Sequence, residues 1–263
     1  MLRYSSALFF LATVTLTTAA GSPKQLKRPE PKKNVAILYF DNYTGSADYD
    51  PLGRGISAMM ISDLSSVKEI QLLERDRMQD LLKEIDNQHT KYFDSTTAVK
   101  VGKMLGAEYV VVGSFATVKP QMRIDTRVVR VQTGEIVKTA QVTGDQDKFF
   151  DLEKKLADRL IDGLGLALSP EEQAALEAQE KANRIDAVQT VANFSQALAS
   201  YDRKDYSSAM QQMAPVVTKA PNSMVVQVAF SEMKSRAASS AKENAADKLK
   251  KGIGGFFKRP PRR

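Results

Sequence analysis

The chain has 263 residues, 43% of them apolar and 26% charged, with one histidine and no cysteine. This length allows one medium domain and a smaller one, and the composition excludes a disulfide framework and disfavours a zinc site built from the usual ligands. Lys and Arg outnumber Asp and Glu by 38 to 31, but the excess sits in the last sixteen residues and the body is close to neutral, which argues against a nucleic-acid-binding domain.

Residues 1–20 read as a signal peptide. Arg3 gives the positive start, Ala7 to Leu16 is an unbroken run of apolar residues and threonines, and Thr18-Ala19-Ala20 offers small residues for cleavage between Ala20 and Gly21. The run is short for a bilayer crossing of about 20 residues, so export to the periplasm is the expectation. A lipoprotein needs a cysteine to acylate, so the chain is not expected to be one. Residues 21–33 form a Lys/Pro-rich linker of extended character.

The folded region is expected from 34 to 168. Val35 to Phe40 is a continuous apolar run, suited to a strand buried on both faces, and Asp41 to Gly45 supplies turn residues. Ile56, Met59, Met60 and Leu64 repeat at helical spacing, and Ile70 to Leu73 is a second strand. Met78, Leu81, Leu82 and Ile85 stripe a further helix that Asp76 would cap. A third helix is predicted over 95–105, with Ala98, Val101 and Leu105 inward and Gly106 at its end. Tyr109 to Gly113 is the next strand, and 124–131 and 136–142 form a hairpin across the turn at Gly134. Phe149, Leu152, Leu156, Leu160 and Leu164 stripe a long helix. Alternation followed by a hairpin implies an α/β fold with a mixed sheet covered by helices.

Three stretches in this order resemble the CsgG family, the curli production assembly/transport components, over residues 34–168. They are Val35 to Gly45 with Leu52-Gly53-Arg54-Gly55 after it, Leu72 to Arg75 running into Met78 to Glu84, and Ala107 to Gly113 followed by Thr126 to Val137. The resemblance implies a periplasmic CsgG-like α/β domain that oligomerises or docks on envelope proteins. The curli member is a secretion pore whose membrane hairpins flank the strand matching 124–131. Here the intervals 113–124 and 142–149 are too short for a hairpin of two membrane strands of about 9–11 residues each. The expectation is a relative without a pore.

Ser169-Pro170-Glu171-Glu172 is a helix-start signal, and 169–247 reads as an α-helical extension. Ala197, Tyr206, Ala209 and Pro221 fit a single tetratricopeptide-repeat-like unit within 190–223; a plain amphipathic helix pair fits equally. One such unit cannot bury its own face and is expected to pack on a neighbour.

The basic tail 248–263 carries Lys248, Lys250, Lys251, Lys258, Arg259, Arg262 and Arg263 with Ile253, Phe256 and Phe257 among them. Basic and aromatic residues together suit contact with an anionic membrane surface or an anionic partner; a disordered solubilising tail suits the same composition.

Catalytic chemistry finds little support. His89 stands alone in a polar stretch, and no G-x-S-x-G signature is present. Gly53-Arg54-Gly55 lacks a phosphate-loop spacing and fits close helix packing better than anion binding. Asp41, Asp48 and Asp50 read as solvated turn residues before they read as a cation site. No catalytic residue, cofactor or metal is expected. The reading is a non-enzymatic periplasmic envelope protein, peripheral to the outer membrane, acting by protein binding in envelope assembly or secretion. Its partners would be envelope proteins and further copies of itself, with no nucleic acid. The alternative is a periplasmic ligand-binding or sensor module with a small-molecule site near 41–55.

Overall fold

The computed structural model describes residues 31–73, 93–118 and 120–256, without the side chains from 247 onward. The predicted helix with Met78 to Ile85, its cap Asp76, and His89 lie outside the described residues, as do the linker to 30, residues 1–20 and the chain beyond 256.

Five strands form one mixed sheet. They are β1 (Lys33–Asn42), β2 (Ile70–Leu72), β3 (Tyr109–Val118), β4 (Gln121–Arg130) and β5 (Ile136–Asp145), in the order β2-β1-β3-β4-β5. β1 is parallel to β2 and β3, while β3–β4 and β4–β5 are antiparallel. The whole of Val35 to Phe40 is buried, as a central strand covered on both faces requires. The strands β3, β4 and β5 run longer than their apolar stretches. β3 extends through Ser114 to Val118 and pairs there with Gln121 across a two-residue link, and β5 continues to Asp145. Polar residues alternate with apolar ones in these extensions, which fits strands with one wet face.

One face of the sheet is covered by α1 (Leu52–Leu64) and α3 (Phe149–Gly163), joined by Ile37, Val111, Ile124 and Val128 into the main core. The other is covered in part by α2 (Ser95–Leu105), whose Ala98 and Val101 meet Ala36, Val110, Val112 and Val129. Asp94 caps α2 through Thr97 N, and Gly106 ends it at φ 69°, a left-handed position that costs glycine nothing.

Four helices follow: α4 (Pro170–Ala182), α5 (Val188–Asp202), α6 (Tyr206–Lys219) and α7 (Met224–Phe256). Ser169 and Glu172 make a reciprocal capping box with Pro170 at the first position of α4. α5 packs on α1, α6 on α5 and α7 on α6. Leu176, Val191, Phe194, Leu198, Met213 and Met233 belong to the same core cluster as the sheet residues, so the helical pair with Ala197 and Ala209 buries its inner face on the α/β layer. Met233 is the last buried residue of α7 among those described.

Candidate functional site

The loop from Asp41 to Asp50 is organised by Asn42. Its Oδ1 accepts from Thr44 N at 2.8 Å and Thr44 Oγ1 at 2.7 Å, and its Nδ2 donates to Ser46 O at 2.8 Å and Asp50 Oδ1 at 2.7 Å. Ser46 caps the short turn that holds Asp48. Asp41 is buried and accepts from Phe93 N at 3.0 Å. Asp50 serves the loop and Asp41 anchors the chain at Phe93, and no group of three metal-ligating side chains occurs among the described residues.

The glycines after the loop serve close approach. A Cβ on Gly53 would stand 1.9 Å from Phe40 O, and one on Gly55 2.0 Å from Ser195 Oγ. Between them Arg54 stacks 4.7 Å from the Tyr39 ring centroid and pairs with Asp202 at 3.6 Å, while Tyr39 Oη donates to Asp202 at 3.4 Å. The start of α1 is thus locked against β1 and α5.

Deeper in the same joint lie three buried acids from three helices: Asp63 of α1, Glu153 of α3 and Glu180 of α4. Asn183, at the end of α4, ties them to the fold. Its Nδ2 donates to Asp63 Oδ1 and to Ser62 Oγ at 2.9 Å, its Oδ1 accepts from Val225 N at 3.0 Å, and its carbonyl accepts from Ser223 Oγ at 3.0 Å. Burial, then the charge of Asp63 and a hydrogen bond with it, pushes the Glu153 carboxyl well above its usual range. Burial also raises Asp63. Glu180 is pushed up to about 7, chiefly by burial, although Lys154 Nζ stands 3.1 Å from its Oε2 and opposes the shift. All three acids fall on apolar helical stripes. Asp63 is four residues from Met59, Glu153 three from Leu156, and Glu180 four from Leu176; that spacing is the signal by which the sequence could have disclosed them.

Above this joint an apolar groove of about 560 Å³ opens between α1, α5 and α7. Ile61, Phe194, Leu198 and Val225 form its floor, and Met224 and Val228, 48% and 62% exposed, form its lip. Tyr201 Oη donates to Glu232 Oε1 at 2.6 Å across one end. The arrangement offers shape and apolar area, with no nucleophile paired to a base.

The tail side chains Lys248, Lys250, Lys251, Phe256, Phe257, Lys258, Arg259, Arg262 and Arg263 lie outside the described residues, as do Ala20 and Gly21; the helical backbone of α7 itself runs to Phe256. No helix among the described residues is long and apolar enough to cross a membrane.

Residues 18–118 match the model of the family described as curli production assembly/transport component CsgG. The match takes in β1, α1, β2, α2 and β3 and ends before the β4–β5 hairpin, where Thr126 to Val137 carried the rest of the resemblance read from the sequence. Among curated proteins the chain is 25% identical over 164 residues to putative adenylate cyclase 3 of Rhizobium meliloti, covering 62% of this chain and 26% of that protein; the chain thus matches about a quarter of that relative's length. Among solved structures it is similar to the LpoB C-terminal domain from Salmonella enterica, with 14% identity, TM-score 0.37, and 44% and 84% of the two chains covered. It is also similar to lipoprotein GNA1162 from Neisseria meningitidis, with 11% identity, TM-score 0.37, and 52% and 99% covered.

Proposed function

We propose that this chain is a non-enzymatic cell-envelope protein that acts by binding other envelope proteins and further copies of itself, in assembly or secretion, without forming a pore. The observation that carries the reading is the CsgG family match over residues 18–118. The absence of a pore is supported by the strands on either side of β4. β3 and β4 are linked by two residues and β4 and β5 by five, and β3, β4 and β5 pair along nearly their whole length in the one sheet. The exposed apolar lip at Met224 and Val228 supports a docking role, since such groups gain from being covered.

Export to the periplasm rests on the character of residues 1–20. The tail from Lys248 to Arg263 is assigned to an anionic membrane surface, where each basic residue contributes about 1 kcal/mol. Light scattering of the purified protein, alone and with vesicles of phosphatidylcholine and phosphatidylglycerol, tests both parts. A discrete oligomer that co-floats with anionic but not neutral vesicles is expected. A monomer indifferent to vesicles would sink the self-association and the membrane contact together.

A further inference from the structure

Among the described residues, the outer face of the β4–β5 hairpin is only partly covered. α2 lies over Val110, Val112 and Val129, and both strands run on beyond it. Arg123, Asp125 and Arg127 share one side of β4, because side chains alternate along a strand. Their register partners on β5 are Thr143, Gln141 and Thr139. The three β4 residues, with Thr139 and Gln141 of β5 and with Phe93 and Arg159, line an open pocket of about 430 Å³ among the described residues.

Three guanidinium groups meet at this pocket, and each is already held in place. Arg123 is gripped by both carboxylate oxygens of Asp125, at 2.8 and 2.7 Å. Arg127 lies 3.9 Å from the Phe93 ring centroid and donates to Phe93 O at 3.2 Å. Arg159 reaches from α3 to the edge strand and donates to Gln141 O. Two of the three cations are therefore fixed by carbonyl oxygens and an aromatic ring, and Asp125 is the single carboxylate among the described lining residues. A guanidinium has five N–H donors in a planar fork that matches carboxylate and phosphate oxygens. Holding it in place beforehand lowers the entropy lost when an anion arrives. Arg127 lies opposite Thr139 on the outer face, and Arg159 reaches round the edge of the sheet from α3 to the carbonyl of Gln141, so the two line the same pocket.

We infer that this pocket is a binding site for a compact polyanionic ligand bearing phosphate or carboxylate groups, with Arg127 and Arg159 as its principal ligands and Arg123 as a third. The volume falls within the range of small-molecule sites. The site is separate from the apolar groove and does not depend on the docking role proposed above.

Isothermal titration of the purified protein at low ionic strength, with sodium pyrophosphate and separately with sodium citrate, tests it. Saturable one-to-one binding of either probe is expected, weakened about tenfold or more in Arg127→Gln and in Arg159→Gln, since each loses a hydrogen bond to a charged group. Added salt should weaken it further. Arg184→Gln, an exposed arginine paired with Asp186 outside the pocket, should bind as the unaltered protein does. Should Arg127→Gln disturb the fold, Arg159→Gln alters an exposed side chain on α3 and keeps the readout. Binding of pyrophosphate alone assigns phosphate chemistry, and binding of citrate alone assigns carboxylate chemistry. Binding of neither probe, or equal binding by both variants and the unaltered protein, overturns the inference.

Discussion

Raising the pH from 5 to 8 should weaken the fold through Glu180. This acid titrates at about 7 in the folded protein against its ordinary 4.5. The folded state therefore holds a proton that the unfolded chain has released. That contribution to stability is complete below the unfolded value and is lost as pH climbs through the folded one. At 1.36 kcal/mol per pKa unit the loss is about 3 kcal/mol across the window, an upper figure because Lys154, 32% exposed, brings solvent near the pair. The groups facing Glu180 are Lys154, Asp158 and Glu153 of α3 and Asp63 of α1, and Lys154, raised from its ordinary value, remains charged throughout this window. Glu153 and Asp63 are raised as well, so they act in the same direction. The assay is the urea midpoint at a series of pH values, for the unaltered protein and for Glu180→Gln. A midpoint that falls with pH in the former, and falls much less in the latter, is expected. A midpoint that is flat or rising, or an equal fall in Glu180→Gln, would refute the reasoning.

Three further outcomes concern the packing and capping of the helices. Gly55→Ala should destabilise by about 1–3 kcal/mol, because its Cβ would meet Ser195 Oγ at 2.0 Å; adding Ser195→Ala should recover part of that, a coupling that a double-mutant cycle in urea would measure. Asn183→Ala should cost about 2 kcal/mol in the same measurement, since it strips Asp63 of its amide donor and leaves Val225 N without its acceptor. Ser169→Ala should cost about 1 kcal/mol through loss of the cap of α4, with circular dichroism at low urea showing little change in helix content.

Local signals made much of the fold legible. Val35 to Phe40 declares a central strand by apolar content alone, and Ser169-Pro170-Glu171-Glu172 carries a complete helix start in four residues. The far ends of β3, β4 and β5 were less visible because residues such as Arg123 and Thr143 are exposed there, and half-exposed strands carry polar residues in every second place. The buried acids are harder still. Glu153 and Glu180 fall on the apolar stripes of their helices, but a carboxylate there also fits the border of an amphipathic face, and their full burial depends on α4 closing over α1 and α3, a long-range event that no short window contains. The arginine pocket depends on register in the same way. Arg127 and Arg159 are 32 positions apart in the chain, and they meet because β4 pairs with β5 and α3 packs on the edge of the sheet.

The C-terminal helices change what the α/β layer can present. In a sheet covered by one layer of helices, the outward side of α1 faces water and is open to partners. Here α5 lies along that side, with Ser195 against Gly55 and Asp202 against Arg54, and the apolar surface offered to solvent moves outward to Met224 and Val228. The helices that cover α1 are therefore the ones that supply the new exposed lip. The start of α7 is tied to the acid joint through Asn183, whose Oδ1 accepts from Val225 N and whose Nδ2 donates to Asp63. A partner that filled the groove as proposed would bind the folded state alone, so its presence should raise the urea midpoint.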